Sequence, residues 1–73
     1  MGKLKPLSQN QIIRILENNG FEQVRSAKHV TFKKTTKGGR VLTTWVPHHR
    51  QVTVFVIQYI IKQSEKSREE FEA

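Results

Sequence analysis

His29 opens an alternating basic segment, His29-Val30-Thr31-Phe32-Lys33-Lys34, whose residue types suit proton transfer on an anionic substrate. In an extended segment successive side chains point to opposite faces. His29, Thr31 and Lys33 then share one face, and Val30 and Phe32 share the other. Burying the apolar pair leaves an imidazole beside an ammonium, both facing outward. Imidazole exchanges a proton near neutral pH and a cationic surface collects phosphates, so the pairing points toward a nucleic acid. The plain alternative is a solvated surface histidine.

Two more histidines, His48 and His49, follow Val46-Pro47. Three histidines invite a zinc reading, but adjacent rings rarely converge on one tetrahedral ion, and no carboxylate or thiolate stands at ligand spacing. No metal and no cofactor is expected. A loop role suits His49, contacting RNA or pinning a strand-to-helix turn, and a solvated ring suits His48. Lys33, Lys34, Lys37 and Arg40 span a hairpin, with Arg50 in the next loop, and either track a phosphate backbone or serve solubility. Trp45 and Tyr59 have the ring systems to stack bases on an open sheet, or to pack over a small core.

Composition supports an anionic partner. The chain has 13 Lys and Arg against 6 Asp and Glu, a formal net charge of +7. This favours a nucleic acid first, an acidic protein second and a membrane surface third. Glu69, Glu70 and Glu72 cluster near the C-terminus, so the rest of the chain is more basic still. A chain of 73 residues allows one domain, expected over 1–73 with 1–7 as a flexible lead-in. So short a chain buries only about 60% of its extended surface, which leaves no room for an ordinary cofactor cavity. The absence of cysteine excludes disulfides and thiolate metal sites and agrees with a reducing compartment. No run of about 18 apolar residues and no signal-like N-terminal stretch is present, so a cytoplasmic protein without a membrane role is expected.

The elements that must position these residues are legible in outline. Ser8 and Gln11 have capping-box spacing, Ile12, Ile15, Leu16 and Asn19 recur at helical spacing, and Gly20 follows as a left-handed cap; this predicts a helix from Ser8 to Asn19. Three strands follow, at about 21–26, 29–35 and 40–46. Gly38-Gly39 supplies the positive φ values of a tight hairpin turn, and Pro47 ends the third strand. Val52 to Lys62 is rich in β-branched residues, yet Val54, Ile57, Ile60 and Ile61 fit a helix better than an alternating strand. Ile12, Leu16, Ile57 and Ile61 are assigned to the core. Ser67 and Glu70 have capping-box spacing again, opening a short turn that returns Phe71 to the core. The order α-β-β-β-α predicts an α+β domain, a three-stranded antiparallel sheet with both helices on one face and the other face open.

Gly20-Phe21, Val24-Arg25, His29-Val30-Thr31-Phe32, Val46-Pro47-His48-His49 and Ser67-Arg68-Glu69-Glu70-Phe71, in this order and spacing, resemble the HicA family of bacterial toxin components. The resemblance runs over nearly the whole chain from Ile12 onward. It implies a fold like that of a double-stranded-RNA-binding domain, messenger-RNA cleavage, and a neutralising HicB antitoxin as partner. The family's functional histidine lies in a Gly-Ser-His tripeptide at the start of the second strand, three residues before an aromatic; His29 and Phe32 match these two positions. His49 matches a histidine that the family often carries two residues after the proline. Ala27-Lys28 stands where the family usually has Gly-Ser, and Glu65-Lys66 where it often has Gly-Leu.

The resemblance implies a metal-independent endoribonuclease toxin with His29 as general acid or base. Arg25, Lys28 and Lys33 would hold phosphate and offset the charge that builds up on it, with Lys34, Lys37, Arg40, His49 and Arg50 as further RNA contacts. Two rivals keep the same fold. One is a non-catalytic RNA- or DNA-binding module; the other is a protein-interaction domain for an acidic partner.

Overall fold

Ser8 starts the first helix in the computed structural model, which describes residues 3–26 and 28–72. Its hydroxyl accepts from the Gln11 amide at 3.2 Å, and the Gln11 side-chain oxygen accepts from the Ser8 amide at 2.9 Å. Two amides that no intrahelical carbonyl can reach are thereby satisfied. Helix α1 (Gln9–Asn18) buries Ile12 and Leu16 completely, while Ile13 and Ile15 pack at the margin of the core. Gly20, at φ 87°, ends the helix. The Gly20 amide donates to the Glu17 carbonyl at 3.1 Å and the Phe21 amide to the Leu16 carbonyl at 3.0 Å, the paired bonds of a Schellman motif. Phe21 is thus spent on closing the helix, which is why the first strand begins one residue later than predicted.

The sheet consists of β1 (Glu22–Ser26), β2 (His29–Thr35) and β3 (Val41–Pro47), antiparallel in the order β1-β2-β3. The β2–β3 register runs from His29 opposite Pro47 to Thr35 opposite Val41. Val30, Phe32, Leu42, Thr44 and Val46 are buried on one face, where the helices lie. On the other face β2 presents His29, Thr31, Lys33 and Thr35, and β3 presents Val41, Thr43 and Trp45. Between Gln23 and Arg25 the β1–β2 register shifts, leaving Val24 in a bulge, half exposed.

The hairpin turn differs from prediction in one respect. Gly39 has a positive φ of 85°, but Gly38 does not. The Gly39 amide donates to the Thr36 carbonyl at 2.9 Å and the Thr36 amide to the Arg40 carbonyl at 2.8 Å. This is a three-residue loop, which needs a left-handed residue only at its last position. Arg40 closes that loop, so β3 starts at Val41 and runs on to Pro47.

Helix α2 (Val54–Ser64) confirms the helical reading of the β-branched stretch. Ile57, Ile60 and Ser64 are its buried positions, at i, i+3 and i+7; Ile61, assigned to the core from its spacing, is only partly buried at the margin. Thr44 Oγ1 donates to Gln63 Oε1 at 2.9 Å, tying β3 to α2 through a polar contact inside the core. Glu65 ends α2 in the left-handed region, φ 56° and ψ 28°. A 3₁₀ turn, η1 (Arg68–Phe71), then returns Phe71 to a fully buried position, as expected. The second capping box does not form. Ser67 caps only through its carbonyl, which accepts from the Glu70 amide at 3.2 Å, because a single 3₁₀ turn satisfies that amide with backbone alone.

Part of segment 1–7, expected to be a flexible lead-in, is tied down. Leu7 is buried and exchanges two backbone hydrogen bonds with Val52, at 3.2 and 2.6 Å, and Leu4 bridges to Glu72. Leu7 supplies apolar area that so small a core needs. Among the described residues no helix is long and apolar enough to cross a membrane.

Candidate active site

His29 is the first residue of β2, exposed on the open face and paired in register with Pro47 at the last position of β3. The strand period puts it on the face opposite Val30 and Phe32, whose burial anchors the strand. Trp45 sits across from Thr31, diagonal to His29, and its ring lies 4.5 Å from the imidazole, centroid to centroid, tilted by 35°. A planar neighbour at this distance restricts the ring's torsions and covers part of it. Tyr59 of α2 continues the row, 6.3 Å from Trp45. Trp45 is half-buried, so it both packs and borders solvent.

Because Pro47 pairs with His29, the loop after β3 begins at the same end of the sheet. It carries His48, His49 and Arg50, all exposed. The His49 amide donates to the Pro47 carbonyl at 3.0 Å, a tight turn just past the strand end. Gln9 Nε2 lies 3.1 Å from His48 Nδ1, linking this loop to the first turn of α1. With Ser8 and Asn10 these residues line an open groove of about 350 Å³. The sequence did not reveal the Gln9–His48 contact, since a polar pair 39 positions apart leaves no periodic trace.

The residues proposed from sequence as RNA contacts divide into groups. Lys28 is exposed beside His29, and His49 and Arg50 lie in the loop after Pro47, all at this end. Lys33 is exposed on the same face as His29, four residues along β2. Lys34 points to the helix side and is half-buried, its ammonium 5.9 Å from the Phe21 ring centroid and its stem against Gly20. Its charge is used there as a cation over an aromatic face. Lys37 and Arg40 occupy the hairpin, at the far end of the sheet, and Arg40 is ion-paired with Glu65 at the end of α2. Arg25 is paired through its backbone with Thr31. Its side chain, and Ala27 altogether, lie outside the described residues.

This arrangement offers an exposed proton carrier, His29, held by an aromatic ring, with a lysine directly before it and another along its strand. Lys28 stands next to His29 in the chain and Lys33 about 13 Å along the same face, so the two suit successive phosphates of a strand rather than a single one. Among the described residues no three His, Cys, Asp or Glu side chains gather at metal-binding distance. A family model described as the HicA toxin of bacterial toxin-antitoxin matches residues 10–65, from α1 to the residue that ends α2. No curated protein and no solved structure matches the chain.

Proposed function

The chain belongs to the HicA toxin family of bacterial toxin-antitoxin systems, and from that premise we propose that it is an endoribonuclease that cleaves messenger RNA with His29 as its proton-transfer group. The observation that carries this reading is the seat of His29, exposed at the start of β2 and braced by Trp45 at 4.5 Å. Acting as base, the imidazole takes the proton of a ribose 2′-hydroxyl. The 2′-oxygen attacks the adjacent phosphorus, and the bond from phosphorus to the 5′-oxygen breaks. The imidazolium so formed returns a proton to the departing 5′-oxygen, leaving a 2′,3′-cyclic phosphate and a 5′-hydroxyl. Each such transfer contributes about 10²- to 10⁴-fold.

Lys28, next to His29, and Arg50 from the loop offset the negative charge that builds up on the phosphorane oxygens, while Lys33, about 13 Å along the strand, holds a neighbouring phosphate. The scheme needs no metal ion, so cleavage persists in excess chelator. A HicB-like antitoxin is the neutralising partner, and the net charge of +7 suits it to an acidic surface as well as to RNA. Expression in a bacterial host tests the reading. The wild-type chain arrests growth and depletes message, whereas His29→Ala, produced at the same level, does neither. Equal arrest by both chains would overturn the assignment of His29.

A further inference from the structure

Helix α2 carries two aromatic rings that the core does not use. Phe55 is 84% exposed and Tyr59 is 53% exposed, although Ile57 and Ile60 on the same helix are buried. With Lys62 they stand at i, i+4 and i+7, a single outward stripe of two rings and an ammonium. α2 contains no acidic residue. Large rings left in water at such spacing mark a surface that meets something else.

The stripe connects with the candidate active site. Tyr59 is 6.3 Å from Trp45, and Trp45 is 4.5 Å from His29. A strand bound at His29 therefore reaches Tyr59 within a few nucleotides if it runs over the β3 edge of the sheet. Base-paired RNA keeps its bases stacked inside and has no ring face to offer, whereas an unpaired strand presents a ring at every residue. Aromatic side chains beside a cation are the surface that such a strand fits, and Lys62 can meet its phosphates because the carboxylate at the helix end, Glu65, is paired with Arg40.

We infer that the outer face of α2, through Phe55, Tyr59 and Lys62, is a stacking track for unpaired RNA flanking the scissile phosphate. The preference for unpaired substrate rests on the ribonuclease reading for its purpose but is measured by binding alone. The probe is a labelled 2′-O-methyl oligouridine strand, which lacks the free 2′-hydroxyl and is not cut, compared with a 2′-O-methyl duplex of equal length. Phe55→Ala and Tyr59→Ala each weaken single-strand binding by roughly 5- to 100-fold, while Tyr59→Phe keeps most of it. Lys62→Gln lowers the slope of log affinity against log salt by about 0.7. Duplex binding changes less than the single-strand binding in every variant. In the wild-type chain the strand also changes the emission of Trp45, the only tryptophan.

Unchanged single-strand affinity in the Phe55→Ala/Tyr59→Ala double variant overturns the inference, as does an equal loss for strand and duplex. So does unaltered Trp45 emission on saturation with the strand. If the double variant keeps its RNA affinity but no longer binds the purified antitoxin, the stripe is a protein-docking face instead. A chain that binds as inferred but does not cleave would refute the ribonuclease reading and leave the stacking track standing.

Discussion

Glu65 holds a backbone conformation that costs an ordinary residue free energy, and replacing it measures that cost. At φ 56° and ψ 28° it lies in the left-handed region, where a β-carbon crowds the following carbonyl at a cost of about 1–2 kcal/mol. Glycine avoids the crowding but loses more backbone entropy on folding, roughly 0.5–1 kcal/mol. The Arg40–Glu65 ion pair complicates any comparison with wild type, although side chains 67% and 48% exposed make it worth only a few tenths of a kcal/mol. Comparing Glu65→Gly with Glu65→Ala removes that term, since both lose the pair and differ only at the β-carbon. The glycine variant is then more stable than the alanine variant by about 1 kcal/mol, which in a domain of this size is about 4–8 °C in Tm. Against wild type it gains about half as much. Thermal melts followed by circular dichroism at one ionic strength decide the matter. An alanine variant as stable as the glycine variant would show that Glu65 does not hold the left-handed turn in solution.

Three further outcomes follow from the packing. Lys33→Gln weakens RNA binding and flattens its salt dependence by about one phosphate contact, whereas Lys34→Gln leaves binding nearly unchanged and lowers Tm through its lost contact with Phe21; equal effects on binding would mean that the two lysines do not face opposite ways. Phe71→Ala empties a fully buried site and destabilises the fold by about 3–5 kcal/mol, seen as a large fall in urea midpoint, and a shift below about 1 kcal/mol would show that η1 is not docked. Trp45→Leu keeps apolar bulk but removes the ring against His29, so kcat falls about tenfold while Tm moves little, and Trp45→Phe restores part of the rate. A Trp45→Leu effect confined to KM would assign Trp45 to binding alone.

Where local chemistry dictates structure, the sequence was informative. The Ser8/Gln11 box, the Gly20 cap and the alternation from His29 to Lys33 each depend on neighbours a few positions away, and each forms as expected. The helical outcome of Val54 to Ser64 followed from spacing in spite of β-branched propensity, because burial of Ile57 and Ile60 outweighs a few tenths of a kcal/mol per residue. What escaped sequence reading depends on distant partners. Alternation turns Lys34 to the helix side, but the Phe21 ring that takes its ammonium is brought there by the end of α1. Arg40 reads as a free hairpin cation until α2 brings Glu65 beside it. The Leu7–Val52 pairing joins two positions that lie outside the helices and far apart in sequence, so no local pattern links them. For the candidate site, the seat of His29 was visible in the alternation, but its brace by Trp45 required the β2–β3 register. Phe55 reads as one more member of an apolar run, because composition does not show which residues of a helix face water.

Whether His29 transfers the proton is decided with purified protein. Wild type, His29→Ala, His48→Ala and His49→Ala, all shown to be folded, are given an unstructured messenger RNA in excess chelator, and the cleavage rate and product ends are read. His29→Ala loses at least about 100-fold in rate while still binding RNA, the other two variants retain most of their rate, and the products carry 2′,3′-cyclic phosphate ends. Cleavage by His29→Ala at the wild-type rate would contradict the assignment of proton transfer to His29.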